Sequence, residues 1–365
     1  MFTEMIQDSQ SLDRLIAKLA DKEWIVLDTE FKRESTYYPT LCLLQLATDE
    51  GIACVDPVAL KDLEPLLDVI YEPTRLKILH SARQDLELFY NLRGALPTPL
   101  FDTQLAAGLA GLGDQIGYGA LVERLVEVRL DKAHTRTDWC RRPLSADQIR
   151  YAEDDVRYLP ALHQNLSDRL RELGRLHWLD EETSALLEPD LYRNDPDRAY
   201  LRIKRGGSLS PAKQQVLKAL TTWRERCAQQ ADLPRSWVIK DKLLFELTSN
   251  PPADEAVLKD WDELKPGMLR RWGSSLLEAL HQGQNQPPQA LWDNPIKPTD
   301  AQKKWVKALA VEVQDYADAN GLNPALLCNK QDLGRLVQGE RELKVLKGWR
   351  REEIGEKLLS MVAGQ

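Results

Sequence analysis

The 365-residue chain lacks any apolar run long enough to cross a membrane. A membrane-spanning helix needs about 20 consecutive apolar residues, and the longest approach to one, residues 105–112, is short and interrupted by Gly108 and Gly111. A secretory signal is missing as well, because Glu4 stands where a positive charge is usual and no apolar stretch follows it. These absences predict a cytoplasmic protein with no membrane partner.

Cysteine is scarce, and its spacing forms no recognisable motif. The five cysteines lie far apart, with no C-x-x-C pair, at Cys42, Cys54, Cys140, Cys227 and Cys328. This spacing predicts neither a zinc site nor a disulfide framework. Cys42 and Cys54 lie in apolar runs and are predicted to be reduced core residues. A Walker loop is also absent, so the sequence indicates no nucleotide cofactor.

The excess of positive charge that is usual in nucleic-acid-binding proteins is missing too, since the net charge is −8. The charges are nevertheless unevenly distributed. Between Arg202 and Lys242 there are ten lysines and arginines against three acidic residues. Such a basic window is typical of a solvated helical surface or of a nucleic-acid-binding face, and the sequence leaves both interpretations open.

The chain is long enough for two or three domains, and its first half alternates strand and helix patterns. Residues 24–28, 41–47 and 52–55 are rich in strand formers and predict an antiparallel meander. Another strand is predicted over residues 76–79. Strands mixed with helices in this way predict an α/β domain over residues 1–200.

Helix boundaries in this half follow from capping residues. Ser81 is predicted to cap a helix that begins two residues later, and Asp102 is predicted to cap the next helix. Ser145 is predicted to cap a long amphipathic helix. Pro160 falls inside that helix and should kink it or split it in two, because proline removes a backbone donor and clashes with the preceding turn.

The second half has no strand pattern, and its sequence repeats. A shift of 89 positions places Leu220 on Leu309 and keeps many other apolar positions in register. The repeat predicts two copies of one small helical domain, at residues 208–284 and 296–365, joined by a linker rich in glutamine and proline.

Two carboxylates, Asp28 and Glu30, are predicted at the end of the first of these strands. Residues two apart on a strand point to the same face, so the pair repels itself unless a cation lies between the two groups. Mg²⁺ is the hard, oxygen-seeking ion that suits such a pair. A single D-x-E motif is, however, far more often an acidic turn at the end of a strand.

Two further motifs carry acidic residues on helices. Asp85 is predicted on the first turn of the helix after the fourth strand, where it would at least complement the helix dipole. Tyr151 and Asp155 are four residues apart and so project from one helical face. Alternatively, Tyr151 packs in the core while Asp155 remains in solvent. Each motif alone is weak, but together, in this order and on these elements, they are specific.

The combination resembles a known family. The three motifs of the DEDD exonuclease superfamily, in its tyrosine-bearing branch, are matched by Asp28 and Glu30, by Asp85, and by Tyr151 with Asp155. The run D-W-C-R-R-P-L at residues 138–144 is similar to the D-W-x-x-R-P-L run of the ribonuclease D family and its eukaryotic exosome relatives. The helical repeats resemble HRDC domains. The resemblance implies an α/β ribonuclease-H-like exonuclease domain with a mixed sheet, followed by two all-α HRDC domains.

The resemblance also implies an activity. It is that of a hydrolytic 3′→5′ exoribonuclease that matures the 3′ ends of tRNA precursors and other small structured RNAs. Two divalent metal ions, Mg²⁺ or Mn²⁺, would activate water and neutralise the leaving oxygen. By resemblance, Asp28 bridges the two ions, Glu30 and Asp155 complete the site of the attacking hydroxide, Asp85 supports the second ion, and Tyr151 orients the water. A tyrosine with a pKa near 10 is a poor general base at neutral pH.

Substrate contacts outside the metal site are expected from stacking and from basic side chains. Phe31 and His80 lie nearest in sequence to the carboxylates and are predicted to stack on RNA bases, although either suits a core position instead and that position is favoured for Phe31. Arg202, Lys204 and Arg205, in the basic window, are predicted to hold the RNA backbone. A monomer suffices for these roles.

Two other functions stay open at this point. A DNA-trimming 3′→5′ exonuclease would need the same metal site, since motif spacing does not separate RNA from DNA. A non-catalytic RNA-binding protein with a degenerate site is the other alternative, and the presence of all five motif residues argues against it.

Overall fold

A computed structural model describes residues 2–131, 137–259, 261, 263–292 and 298–363. The strands within these residues are β1 (Phe2–Ile6), β2 (Trp24–Lys32), β3 (Thr40–Ala47), β4 (Gly51–Val55), β5 (Leu76–Leu79) and β6 (Leu100–Asp102). Helices in the first half are α1 (Ser9–Leu19), α2 (Glu64–Ile70), α3 (Arg83–Arg93), α4 (Thr103–Leu109), α5 (Tyr118–Val126), α6 (Ala146–Arg157), α7 (Leu159–Glu172) and α8 (Leu176–Leu186).

The described residues of the second half form helices and their connections, without strands. Its helices are α9 (Pro211–Ala231), α10 (Arg235–Val238), α11 (Asp241–Ser249), α12 (Glu255–Lys259), α13 (Pro266–Gln284), α14 (Asp300–Asn320), α15 (Pro324–Leu327), α16 (Lys330–Val337), α17 (Gly348–Arg350) and α18 (Glu356–Ala363). Within the described residues, every helix is too short or too polar to span a bilayer.

The six strands form one mixed sheet in the order β1-β4-β3-β2-β5-β6. Strand β3 pairs antiparallel with β4, whereas β1 with β4, β2 with β5, and β5 with β6 pair in parallel. The predicted neighbours β2, β3 and β4 are confirmed, and the mixed sheet agrees with the predicted fold class. Strands β1 and β6 were not predicted. Because β2 is an interior strand, its side chains lie near the middle of the sheet.

Side-chain caps mark the starts of three helices in the α/β part, α1, α4 and α6. The Asp102 side chain accepts hydrogen bonds from the first amides of α4, and Ser145 forms a capping box at the start of α6, as predicted. Pro160 lies at the second position of α7, so the predicted long helix is split in two. The prediction for Ser81 is wrong. Ala82 occupies the N-cap of α3, and Ser81 adopts a left-handed conformation with φ 58°.

The chain divides into two compact units. The first comprises the described residues of Met1–Lys32, Leu41–Tyr192 and Lys297–Gln365, and the second comprises those of Arg33–Thr40 and Arg193–Ile296. All five motif residues of the predicted metal site belong to the first unit. The predicted start of the second helical domain, residue 296, lies outside the described residues.

The repeat is evident in the order of the helices. Helices α14, α15 and α16 each begin 89 residues after α9, α10 and α11, which are their counterparts in the first copy. The short four-residue helix recurs at the same place in both copies. The order and spacing of these three helices follow the repeat predicted from sequence.

The two copies have different surroundings. In the second unit, α9, α11 and α13 enclose a core of their own, which Tyr37 joins. In the first unit, apolar residues of α14 to α18 belong to the same hydrophobic cluster as α4, α5 and α7. The backbones also approach closely, since a Cβ on Gly111 would lie 2.6 Å from the carbonyl oxygen of Gly321. The second copy thus completes the core of the α/β part.

A polar cluster secures the same junction. The Glu182 carboxylate accepts hydrogen bonds from the Arg350 guanidinium, from Lys344 at 2.8 Å and from the Trp349 indole at 3.1 Å. The ring of Trp349 stacks on Trp178 with centroids 4.2 Å apart. Burial raises the pKa of Glu182, but the hydrogen bonds and charges of Arg350 and Lys344 outweigh burial and lower that pKa to about 2.

Cys42 and Cys140, 98 residues apart, form a disulfide. The prediction that Cys42 is reduced is therefore wrong. Cys54 is a free, buried cysteine, as predicted. The pair joins β3 to the loop before α6, and sequence spacing gives no signal for such a contact, because it depends on how β3 and that loop are brought together by the fold.

Candidate active site

Three predicted carboxylates meet where β2 faces α6. Asp28 and Glu30 lie two residues apart on the same face of β2. Asp155 projects from α6, which packs against that strand. One oxygen of each carboxylate lies within 4.8 Å of an oxygen of the other two. The strand was predicted to end at Asp28, but it runs on to Lys32. Both carboxylates on β2 therefore stand on regular, hydrogen-bonded backbone, which fixes their spacing.

Asp85 lies beside this group but outside the set of three oxygens. It is buried on the first turn of α3, and its carboxylate accepts a hydrogen bond from the Thr29 hydroxyl. The turn before α3 is held by Asp102, which accepts from the backbone amides of Ser81 at 3.1 Å and Ala82 at 2.8 Å. Sequence reasoning identified Asp102 only as a cap and missed Thr29, whose position between the two carboxylates of β2 was the available signal.

Burial raises the pKa values of all four acids, and neighbouring acids of the cluster raise those of Asp28 and Glu30 further. Burial, together with the charges of Asp85, Asp155 and Glu30, raises the pKa of Asp28 well above its ordinary value. Burial and the neighbouring acids raise the pKa of Glu30 to about 8, and burial raises the pKa values of Asp85 and Asp155 to about 7. Carboxylates this close cannot all ionise unless positive charge is added. Hard oxygen donors in such a cluster fit a divalent cation.

Tyr151 lies next to the carboxylates, one helical turn before Asp155. Its hydroxyl donates a hydrogen bond to Asp155, and burial together with the charges of Asp155, Glu30 and Asp28 raises the pKa of the phenol. The phenol therefore stays protonated at neutral pH, which suits a hydrogen-bond donor and does not suit a general base.

The D-W-C-R-R-P-L run forms a braced loop beside this phenol. Its Arg142 donates to both oxygens of buried Asp56, at 2.6 and 2.7 Å, and to the carbonyl oxygens of Cys42 and Trp139. The Cys42–Cys140 disulfide ties the same loop to β3. Trp139 is buried, and its ring centroid lies 5.9 Å from that of the phenol. The family signature thus builds one wall of the site.

Phe31 and His80, the predicted stacking residues, differ in their surroundings. Phe31 is partly exposed and, within the described residues, belongs to none of the four hydrophobic clusters, so the core role considered for it is not supported. The Nδ1 atom of His80 lies 2.9 Å from the Thr103 hydroxyl, and its ring packs 5.7 Å from that of Tyr118. Burial lowers the pKa of His80.

The three predicted backbone-binding residues belong to the second unit. Arg202 forms an ion pair with Glu225 at 3.2 Å and a hydrogen bond with Asn194 at 2.8 Å. Lys204 and Arg205 are exposed and form no ion pair in the part of the chain that the structure describes.

Comparisons with known proteins agree with the fold and with the predicted activity. The 3′-5′ exonuclease family matches residues 3–171, and the HRDC domain family matches residues 213–280, inside the first helical copy. Ribonuclease D of Acidiphilium cryptum is 37% identical over 367 residues, covering 99% of this chain and 93% of the relative. Ribonuclease D of Bartonella henselae is 35% identical over 376 residues, covering 99% and 90%.

Solved structures give the same result. Escherichia coli RNase D, described as an exoribonuclease involved in structured RNA processing, superposes with a TM-score of 0.88 and 29% identity, covering 100% of this chain and 99% of that one. The catalytic core of RRP6 from Trypanosoma brucei has a TM-score of 0.59 and 25% identity over 77% of this chain and 79% of its own. The DEDD exonuclease fold and the acidic cluster imply divalent metal ions. The chain therefore belongs to the ribonuclease D family and is a 3′→5′ exoribonuclease.

Proposed function

We propose that the chain hydrolyses RNA from a single-stranded 3′ end by a two-metal-ion mechanism and releases nucleoside 5′-monophosphates. Mg²⁺ is the proposed ion, and tRNA precursors are the proposed substrates. The observation that carries this proposal is the group formed by Asp28, Glu30 and Asp155, whose oxygens lie within 4.8 Å of one another. Their raised pKa values support it, because buried carboxylates this close together need the positive charge of bound cations in order to ionise fully.

Asp28, Glu30 and Asp155 are proposed to coordinate the ions directly. Asp85, which lies beside Thr29, is proposed to contact them through water. When bound, the ions would supply hydroxide at neutral pH and neutralise the leaving oxygen. Asp85 accepts the Thr29 hydroxyl, so one of its oxygens is already oriented by the protein. That arrangement supports a contact through water and leaves direct coordination to the other three residues.

Tyr151 is proposed to orient the attacking water. Its phenol remains protonated and already donates its hydrogen to Asp155, so its oxygen offers a fixed acceptor for a water beside the cluster. Trp139 packs against the ring and limits its motion. Phe31, partly exposed directly after Glu30, is proposed to stack on the terminal base, which needs no sequence reading.

The test uses variants that keep the shape of each side chain. Asp28→Asn and Asp155→Asn should remain folded and bind RNA but lose cleavage of an end-labelled tRNA precursor by at least about 10²-fold. Asp154→Asn is the matched control, since Asp154 neighbours Asp155 but forms an ion pair with Arg157. Normal cleavage by the Asp28 and Asp155 variants would disprove the metal site.

Substrate and ion are tested with the unaltered protein. Matched single strands of RNA and DNA, each with Mg²⁺, Mn²⁺ or chelator, should show Mg²⁺-dependent release of 5′-monophosphates from RNA. Faster digestion of DNA would favour a DNA-trimming enzyme, and release of 3′-monophosphates would contradict the proposed bond cleavage. Sedimentation of the active protein should give the mass of a monomer.

A further inference from the structure

The Cys42–Cys140 disulfide lies in the same small hydrophobic cluster as the phenol of the site. Cys42 and Trp139 belong to the buried part of this cluster, and Cys140 and Tyr151 pack against it. Cys140 directly follows Trp139 in the chain, and the Trp139 ring centroid lies 5.9 Å from that of Tyr151. The disulfide is therefore one residue away from the tryptophan that packs on the proposed water-orienting side chain.

A structural staple is the ordinary role of a disulfide, and the rest of the chain favours a different one. Dense disulfides stabilise small secreted domains that cannot build a sufficient core, whereas this chain has extensive hydrophobic clusters. Its other cysteines, Cys54, Cys227 and Cys328, are buried free thiols. Where cells keep thiols reduced, a disulfide that does form is usually transient and redox-sensing or catalytic. A single disulfide beside a catalytic cluster fits that class.

The loop that carries Cys140 has a second attachment to the sheet, which does not depend on sulfur. Arg142 donates to both oxygens of buried Asp56, at 2.6 and 2.7 Å, and to the carbonyl oxygen of Cys42 at 2.7 Å. A bidentate pair between a guanidinium and a carboxylate fixes geometry as well as adding energy. These bonds remain when the disulfide is opened, so reduction should loosen the loop without releasing it.

Of the two bonded cysteines, Cys140 is partly exposed and Cys42 is fully buried. A thiolate of a dithiol therefore attacks the sulfur of Cys140, forms a mixed disulfide there and expels the Cys42 sulfur as a thiolate, which takes up a proton. The second thiol of the reductant then attacks the reductant's own bound sulfur and releases Cys140 as a thiol. Two electrons and two protons pass from the dithiol to the protein, and the dithiol leaves as a disulfide.

We propose that the Cys42–Cys140 disulfide is a reversible modification site, opened by a dithiol and closed by a small disulfide, that sets the rate of the nuclease. The closed bond holds Cys140, and with it Trp139, against β3 and so fixes the ring of Tyr151. Two thiols cannot stay at bonding distance, so reduction lets the loop move from β3 and gives that ring more freedom. The two cysteines are positioning residues, and the inference rests on the proposed function for the role of Tyr151.

The two forms are prepared from the full chain with dithiothreitol or glutathione disulfide and are identified by their thiols. In denaturant, the disulfide form should show three titratable thiols and the reduced form five. Reduction should lower kcat on single-stranded RNA by about 10-fold and leave KM unchanged. That loss is smaller than the 10²-fold that a displacement of about 1 Å can cost, because Arg142 still holds the loop. Reoxidation should restore kcat. Equal kcat values for the two forms, or five thiols after oxidation, would overturn the proposal.

Cysteine variants assign the response to this pair. Cys140→Ser should have the kcat of the reduced form and should not respond to dithiothreitol. Cys227→Ser removes a buried free thiol of the second unit and is the matched control, so it should keep the full response. Thermal melting above the assay temperature shows that each variant is folded. A full response to dithiothreitol in Cys140→Ser would contradict the proposal, because another thiol would then carry the effect.

Tyr151→Phe separates a positional effect on the phenol from a general loss of stability. This variant should be slow in both forms and should not respond to dithiothreitol, because no hydroxyl remains to be positioned. A full response in Tyr151→Phe would refute the route through the phenol. If Tyr151→Phe is slow while the two forms of the unaltered protein have equal kcat, the disulfide inference fails and the proposed function stands. If Tyr151→Phe or Asp28→Asn cleaves normally, the proposed function itself fails.

Discussion

Glu182 should hold the second helical copy on the α/β part, and the size of its contribution follows from its pKa. That pKa is about 2 in the folded protein against 4.5 without the surrounding groups. At 1.36 kcal/mol for each pKa unit, the carboxylate contributes about 3 kcal/mol at neutral pH. Removing one partner of a buried ion pair costs a similar amount, about 3–5 kcal/mol. Glu182→Gln should therefore lower the free energy of unfolding by about 3 kcal/mol.

The dependence on pH gives the sharper test. Because the folded pKa lies below the unfolded one, the contribution of Glu182 is complete above pH 4.5 and declines as pH falls towards about 2. Urea unfolding of Glu182→Gln and of the unaltered protein should differ most at pH 7 and less at pH 3. Asp180→Asn, exposed on the same helix, should stay within about 0.5 kcal/mol. A loss that is equal at both pH values would refute the electrostatic reasoning.

Three further outcomes are expected. Tyr151→Phe should lower kcat by about 10²-fold while Mg²⁺ affinity, measured by calorimetry, is retained, since the phenol orients water and holds no ion. Mg²⁺ binding at pH 7 should release protons, because the pKa of Glu30 is about 8 and that of Asp155 about 7. Calorimetry would detect this release as a binding heat that depends on the buffer. The affinity for Mg²⁺ should fall as pH is lowered. Gly348→Ala should lower the melting temperature, since φ is +49° and the added Cβ would overlap a carboxylate.

The site could be predicted from sequence because its residues lie on regular elements. Alternation along β2 puts Asp28 and Glu30 on one face, and a spacing of four puts Tyr151 and Asp155 on one face of α6, so local periodicity carries both facts. Which faces meet is a tertiary property, and only the resemblance to a family supplied it. Thr29 shows the limit, since a threonine between two acids has no distinguishing pattern until Asp85 is placed beside it.

The parts of the fold that depend on local sequence were predictable for the same reason. The prediction failed for contacts between residues far apart in the chain. Helix ends marked by Asp102, Ser145 and Pro160 follow from local chemistry. The Cys42–Cys140 disulfide does not, because nothing in a separation of 98 residues indicates contact. Nor does the sequence distinguish the two helical copies. The apolar faces of the copy that packs into the α/β core have the same periodicity as those of the copy that forms a core of its own.

The shared core has a consequence for the synthesis of the chain on the ribosome. Domains generally fold as they emerge, beginning with the N-terminal one. Here the cluster around α4, α5 and α7 needs side chains from Val306 to Val362, which are made well after those three helices. The segments of the helical unit, Arg33–Thr40 and Arg193–Ile296, are complete before that. We expect the nuclease body to acquire protease resistance only once Val362 has left the ribosome, later than the helical unit does.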